Sequence, residues 1–182
     1  LGVLGATGRG VGEHFDVDRN DVDLWMGTLS KTFGSCGGFI AASSGIVEYL
    51  KYTTPGFVYS VGLTPADTMA ALTSLRLLIE EPERTRRLQK RATLFLELAN
   101  EHGFDTGNSR NSAVIPLILG SSTRAMKIHH KLFAARIFAL PIIFPVVPEN
   151  AARLRFFINC THTEEQIMAT ISTIKGAMNE VD

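Results

Sequence analysis

Few residues in this chain could do chemistry, and the most distinctive is Lys31, in the stretch GTLSKTFGSCGGFI at residues 27 to 40. Thr28 and Ser30 place hydroxyls three and one positions before it, and Gly34, Gly37 and Gly38 let other groups approach the backbone closely. A protonated amine is a poor nucleophile. A Schiff base to an aldehyde cofactor removes that handicap, and pyridoxal phosphate needs such a lysine with donors for a phosphate dianion nearby. A P-loop demands glycine immediately before its lysine, and Ser30 stands there instead. The residues alone leave two readings open, a cofactor lysine and a solvated turn.

The next candidates are Arg153 and Arg155 in RLRFFINC. A guanidinium fork takes a carboxylate bidentately. Strand alternation puts both arginines on one face, so periodicity does not choose between them, and either can be a surface charge. The histidines offer less. His129 and His130 are adjacent and cannot ligate one metal as an i,i+4 pair does. His162 precedes a capping box, and His14 and His102 read as surface positions. No metal site is expected. Cys36 and Cys160 lie far apart, and Cys36 reads as a small buried filler.

Elements must position these groups. Residues 21 to 29 read as a strand from the alternation of Val22, Leu24 and Met26, and GGFIAA reads as a second, so Lys31 falls in the loop between them. SSGIVEYLKYTT reads as a short helix capped by Ser44, and TPGFVYS as extended. LTPADTMAALTSLRLLIEEP is helical, with Thr64 as cap, Pro65 in the first position, and Met69, Leu72, Leu75 and Ile79 at helical spacing. ERTRRLQKRATLFLELANEHG gives a longer helix stopped by Gly103. Beyond it, NSAVIPLILG and RLRFFINC read as strands. STRAMKIHHKLFAARIF reads as a helix with Ala125, Ile128, Leu132 and Ala135 on one face. A last helix opens with a Thr163–Gln166 capping box and buries Ile167, Ile171, Ile174 and Met178.

The 182 residues are 45% hydrophobic, enough for a sizeable core, and 18 basic residues balance 18 acidic ones. That balance argues against bulk binding to nucleic acid or an anionic membrane. The longest apolar run, FALPIIFPVV, is short and broken by prolines, well below the roughly 18 residues of a membrane span. A cytoplasmic protein without a membrane span is expected. The chain opens inside the glycine-rich loop LGVLGATGRGVG. A loop needs a flanking element to hang from, so a piece of a longer chain is expected.

Taken in order, four segments resemble the α-oxoamine synthases, a family of fold-type I pyridoxal-phosphate enzymes. GTLSKTFGSCGGFI resembles the family's cofactor-lysine signature. LGVLGATGRGVGEHF is similar to the loop after its D-E-A-H segment, and FVYSVGLTPA to its Y-S-x-x-x-x-P-A segment. SAVIPLILG and PVVPENAARLRFFINCTHT resemble its carboxyl-domain strands.

The resemblance implies an α/β fold, with part of the large cofactor-binding domain and its linking helices over residues 1–104 and a small carboxyl-terminal α/β domain over 105–182. It implies that Lys31 carries pyridoxal phosphate and later removes the substrate Cα proton, and that Thr28 and Ser30 contact the phosphate. Ser60 would reach that phosphate from the neighbouring subunit of a homodimer. Val61 and Gly62 replace hydroxyls common at the next positions, and a strand-end hydroxyl is the other reading of Ser60. Arg155 would bind the substrate carboxylate, leaving Arg153 a surface charge.

The implied reaction joins an amino acid to an acyl-CoA with loss of carbon dioxide. The family's ring-binding aspartate and histidine would lie upstream of Leu1, so the chain reads as a carboxyl-terminal part, inactive alone. An aminotransferase and a non-catalytic scaffold are the rival readings. The GRG loop and the RLR strand argue against the first.

Overall fold

The structure, a computed structural model, describes residues 1–181. Two compact units divide the chain, Leu1–Thr85 and Arg86–Asp182.

The first unit begins with a glycine-rich loop, a one-turn helix α1 (Val11–His14) and a 3-10 turn at Arg19–Asp21. Strands β1 (Leu24–Thr28) and β2 (Gly38–Ala42) then pair antiparallel, Trp25 opposite Ala41 and Gly27 opposite Phe39. The lysine loop is therefore the connection of a hairpin. Helices α2 (Ser44–Thr53), α3 (Pro55–Val58) and α4 (Pro65–Glu80) follow.

Two expectations about the elements change in this unit. Ser43, not Ser44, is the N-cap of α2, and its side chain makes no capping bond. The segment TPGFVYS is not extended: Pro55 at the first helical position, with its φ preset, starts the turn α3. Helix α4 is capped as its sequence demands, with Thr64 Oγ1 accepting from Asp67 N at 3.1 Å. Its apolar stripe of Met69, Leu72, Leu75 and Ile79 is nevertheless exposed, while Asp67, Ala71, Ser74 and Leu78 form the less exposed line of the helix.

Helix α5 (Glu83–Glu101) leads into the second unit and ends at Gly103, whose φ of +70° suits a residue without Cβ. Strand β3 (Val114–Ile118), helix α6 (Ser122–Ala134), strands β4 (Leu140–Ile142) and β5 (Arg153–Phe157) and helix α7 (Glu164–Asn179) complete it. The sheet is antiparallel in the order β3-β5-β4. Both margins carry a proline within the strand, Pro116 in β3 and Pro141 in β4, as edge strands tolerate. The sequence reading had no β4, because three residues containing a proline give no alternation to read.

Period two sorts β5 cleanly. Leu154 and Phe156 are buried, as are their partners Leu117 and Ile115 on β3. Phe156 meets Phe95 of α5 at 5.1 Å between ring centroids. Ala125, Ile128 and Leu132 of α6 and Ile167, Ile171, Ile174 and Ala177 of α7 bury with them. Each large aliphatic here contributes about 1.5–3 kcal/mol by leaving water.

The full capping box forms at Thr163 and Gln166. Two expected core positions move. Ala135 is the exposed C-cap of α6, since Arg136 at φ +62° turns the chain out of the helix. Ala177 takes the buried place assigned to Met178, which is half-buried.

Candidate functional site

The hairpin connection holds its shape through its own backbone. Leu29 N donates to Gly37 O at 2.9 Å, Ser35 N to Leu29 O at 3.0 Å, and Gly34 N to Lys31 O at 3.0 Å. Gly38 has a second role in the hairpin, since a Cβ there would lie 2.7 Å from the carbonyl oxygen of Gly27.

Side chains tie the loop to the rest of its unit. The Phe33 ring is 4% exposed, and its carbonyl accepts from Ser74 Oγ of α4 at 3.0 Å. Ser35 Oγ donates to Asp67 O at 2.7 Å, and Thr32 Oγ1 to Leu1 O at 2.8 Å. None of Thr32, Phe33, Ser35 and Ser74 stood out as functional in the sequence. The available signal was the line Asp67, Ala71, Ser74 and Leu78, polar at its first and third positions on a helix whose apolar stripe lies elsewhere.

With those residues spent on anchoring, Thr28, Ser30 and Lys31 remain. Thr28 Oγ1 and Ser30 Oγ share one hydrogen bond at 2.8 Å, and Ser30 N donates to Thr28 Oγ1 at 3.2 Å. Two hydroxyls bring two hydrogens and the mutual bond uses one. The other has only a 3.5 Å contact from Thr28 Oγ1 to Gly37 O. Lys31 is exposed, and its amine makes no hydrogen bond or ion pair among the described residues. An unpaired amine one residue after a hydroxyl pair suits, by its chemistry, an aldehyde that also carries a phosphate. Cys36, in the same loop, is exposed rather than a buried filler.

The glycine-rich loop in front is folded around one carboxylate. Glu13 accepts from Thr7 N at 3.0 Å, Thr7 Oγ1 at 2.8 Å and Arg9 N at 2.9 Å. The Arg9 amide, then the Thr7 hydroxyl, hold its pKa below the ordinary value of 4.5. Thr85, itself buried, donates from Oγ1 to Gly2 O at 3.4 Å.

Ser60 lies in the first unit, exposed just past α3, and its hydroxyl donates only to Val61 O at 3.2 Å among the described residues. Around it Tyr59 is 88% and Val61 93% exposed, and Tyr49, Tyr52 and Phe57 are exposed as well.

Arg153 and Arg155 belong to the second unit and share the sheet face opposite Leu154 and Phe156. Their environments differ. Arg153 Nε donates to Ala151 O at 2.8 Å. Arg155 Nε is shut off from water and has no hydrogen-bond partner among the described residues. In register, Arg155 sits between Pro116 of β3 and Leu140 of β4, neither of which offers its side chain an acceptor. A buried donor left unpaired is costly.

Among the described residues no group of His, Cys, Asp and Glu clusters closely enough to hold a metal ion, and no helix is long and apolar enough to cross a membrane.

Comparison with known proteins fits this arrangement. A family model described as aminotransferase class I and II matches residues 2–174. The chain is 36% identical over 174 residues to 8-amino-7-oxononanoate synthase of Thermoanaerobacter pseudethanolicus, a match covering 96% of this chain and 44% of that protein. It is also 36% identical over 182 residues to serine palmitoyltransferase of Bacteroides thetaiotaomicron, covering 100% of this chain and 46% of that one. A serine palmitoyltransferase solved with pyridoxal phosphate matches 100% of this chain and 46% of its own, with a TM-score of 0.91 at 25% identity. The chain thus spans less than half the length of these relatives.

Proposed function

The chain belongs to the aminotransferase class I and II family, and on that premise we propose that the protein joins an amino acid to an acyl-CoA as an α-oxoamine synthase. Its relatives are synthases of that kind, and the fold matches fold-type I pyridoxal-phosphate enzymes over the aligned part. The cofactor is pyridoxal phosphate. When bound, it supplies an aldehyde for the lysine and an electron sink for charge developing at the amino-acid Cα. The reaction breaks the Cα–carboxylate bond to release carbon dioxide and the thioester C–S bond to release CoA. It forms one bond between Cα and the acyl carbon.

The residues take these parts. Lys31 Nζ would hold the cofactor and, once free, would take the proton from the amino-acid Cα and return it there after carbon dioxide has left. The free hydroxyl hydrogen of the Thr28–Ser30 pair is donated to the phosphate. The Arg155 guanidinium takes the substrate carboxylate. Ser60 reaches the phosphate of a second subunit, and the exposed Tyr49, Tyr52, Phe57 and Tyr59 around it form the contact with that subunit in a homodimer. Residues 1–104 act as the cofactor-binding part and 105–182 as the small domain. The observation that carries the reading is the unpaired Lys31 amine in the connection that directly follows the hydrogen-bonded Thr28–Ser30 pair.

The test uses the full-length protein with an amino acid and either an acyl-CoA or a keto acid. CoA and carbon dioxide released together in equal amounts support the synthase. Amino-group exchange with the keto acid, without CoA release, supports the aminotransferase reading that the family also admits. Lys31→Ala removes the visible absorbance of lysine-bound cofactor, and retention of that absorbance overturns the assignment of Lys31. The reading places the ring-binding aspartate and histidine ahead of Leu1, so the 182 residues alone carry out no condensation. Turnover by them refutes that part.

A further inference from the structure

The second unit carries an aromatic ring that its packing does not explain. Phe157 ends β5 two positions after Arg155, on the same face of the sheet, and is 51% exposed although Phe156 beside it is buried. The Arg155 guanidinium carbon lies over this ring, 5.3 Å from its centroid. A guanidinium within about 6 Å of a ring centroid is attracted by the negative face of the π system. The ring attracts the cation without using any of its N–H donors, which a carboxylate in the same place would consume. That distinction matters here because Nε of Arg155 is already closed to water and unpaired. Arg153 shows the alternative. Its Nε is committed to the Ala151 carbonyl, and no ring covers it.

We propose that Phe157 is a positioning residue: its ring fixes the guanidinium plane of Arg155 so that the fork is presented, with its donors unspent, to the carboxylate of the amino-acid substrate. The inference rests on the assignment of Arg155 as the carboxylate-binding residue. It adds that the aromatic face, and not merely apolar bulk, is what position 157 supplies. The cation loses one soft partner when the ring is removed, and it then samples orientations in which the fork does not meet a carboxylate.

The experiment compares Phe157→Leu, Phe157→Ala, Phe157→Tyr and Arg155→Ala in the full-length holoenzyme. Amino-acid binding is read from the visible spectrum of the cofactor during titration, and kcat and both KM values from turnover. Phe157→Leu keeps apolar bulk and lacks the π face. It is expected to raise the amino-acid dissociation constant about 3- to 5-fold, the size of one cation–π contact. Its KM for acyl-CoA and its kcat stay unchanged. Phe157→Ala behaves the same, and Phe157→Tyr restores wild-type binding. In an Arg155→Ala background, Phe157→Leu has no further effect, since the ring then has no cation to hold.

If Phe157→Leu binds the amino acid like wild type while Phe157→Ala does not, the ring acts by filling space and the inference falls. If Arg155→Ala weakens amino-acid binding strongly but every Phe157 variant binds normally, the inference falls and the reading of Arg155 stands. If Arg155→Ala leaves amino-acid binding unchanged, the reading of Arg155 fails as well.

Discussion

Replacing Phe33 with alanine removes the ring that pins the lysine loop to its unit. The ring is 4% exposed, so nearly all of its transfer free energy is forfeited and a cavity is left behind. Such deletions cost about 3–5 kcal/mol. The loop keeps its bonds from Ser35 Oγ to Asp67 O and from Ser74 Oγ to Phe33 O, so it settles part of the way into the gap. The lower end applies, about 3 kcal/mol.

If that cost falls on the loop, its open form becomes roughly a hundredfold more populated, at about 1.4 kcal/mol per tenfold. Amide hydrogen exchange in the full-length protein measures this directly. The Leu29 and Ser35 amides, bonded to Gly37 O and Leu29 O, are expected to exchange about a hundred times faster, while the β3-β5 ladder is unaffected. Equal acceleration in both units, or less than about threefold at Leu29 and Ser35, refutes the view that Phe33 anchors the loop locally.

Three further outcomes follow from other contacts. Gly38→Ala puts a Cβ 2.7 Å from Gly27 O, where only backbone movement relieves the clash; it is expected to cost about 1–3 kcal/mol in denaturant titration, and a neutral result shows that the hairpin opens freely. Glu13 has its folded pKa lowered, so its stabilisation is full above the unfolded value and lost as pH falls through the folded one. Exchange protection of the Gly2 and Gly10 amides should therefore fall as pH drops below the ordinary value of 4.5 in wild type and not depend on pH there in Glu13→Gln, and equal pH slopes would remove Glu13 from that role. Thr163→Ala breaks the capping box of α7 and is expected to cost about 1 kcal/mol, with Thr163→Ser retaining most of it, as read from urea midpoints.

What the sequence disclosed follows from how local each signal is. Thr64 with Pro65, and Thr163 with Gln166, announce their helices within one turn, and both helices begin where those residues place them. The loop position of Lys31 was legible because both flanking strands carry a short apolar pattern. Strand β4 was not, since its pairing partner Arg153–Arg155 lies beyond an intervening turn and its own residues include Pro141.

The stripe on α4 shows a different gap. Periodicity says which residues share a face and is silent on what covers it: Met69, Leu72, Leu75 and Ile79 stand at helical spacing and are exposed. Ser35, Ser74 and Thr32 went unnoticed for a related reason. Their partners Asp67, Phe33 and Leu1 are 32, 41 and 31 positions away, and a hydroxyl does not advertise a distant carbonyl. Periodicity put Arg153 and Arg155 on one face, and the difference in their surroundings, Nε of Arg153 donating to the Ala151 carbonyl, depends on a contact that alternation does not show.

The prolines at 116 and 141 have a consequence for how the two sheets meet other chains. An in-strand proline on a margin turns its missing donor away from the ladder, toward any strand that would arrive there. A strand from another molecule approaching the three-stranded sheet finds a gap in the row of donors along β3 and another along β4, so that sheet is sealed against lateral growth at both ends. The β1–β2 hairpin contains no proline in either strand and keeps an unbroken row on each side. The interruption that both margins of the arginine-bearing sheet carry is thus absent from the strands that flank Lys31.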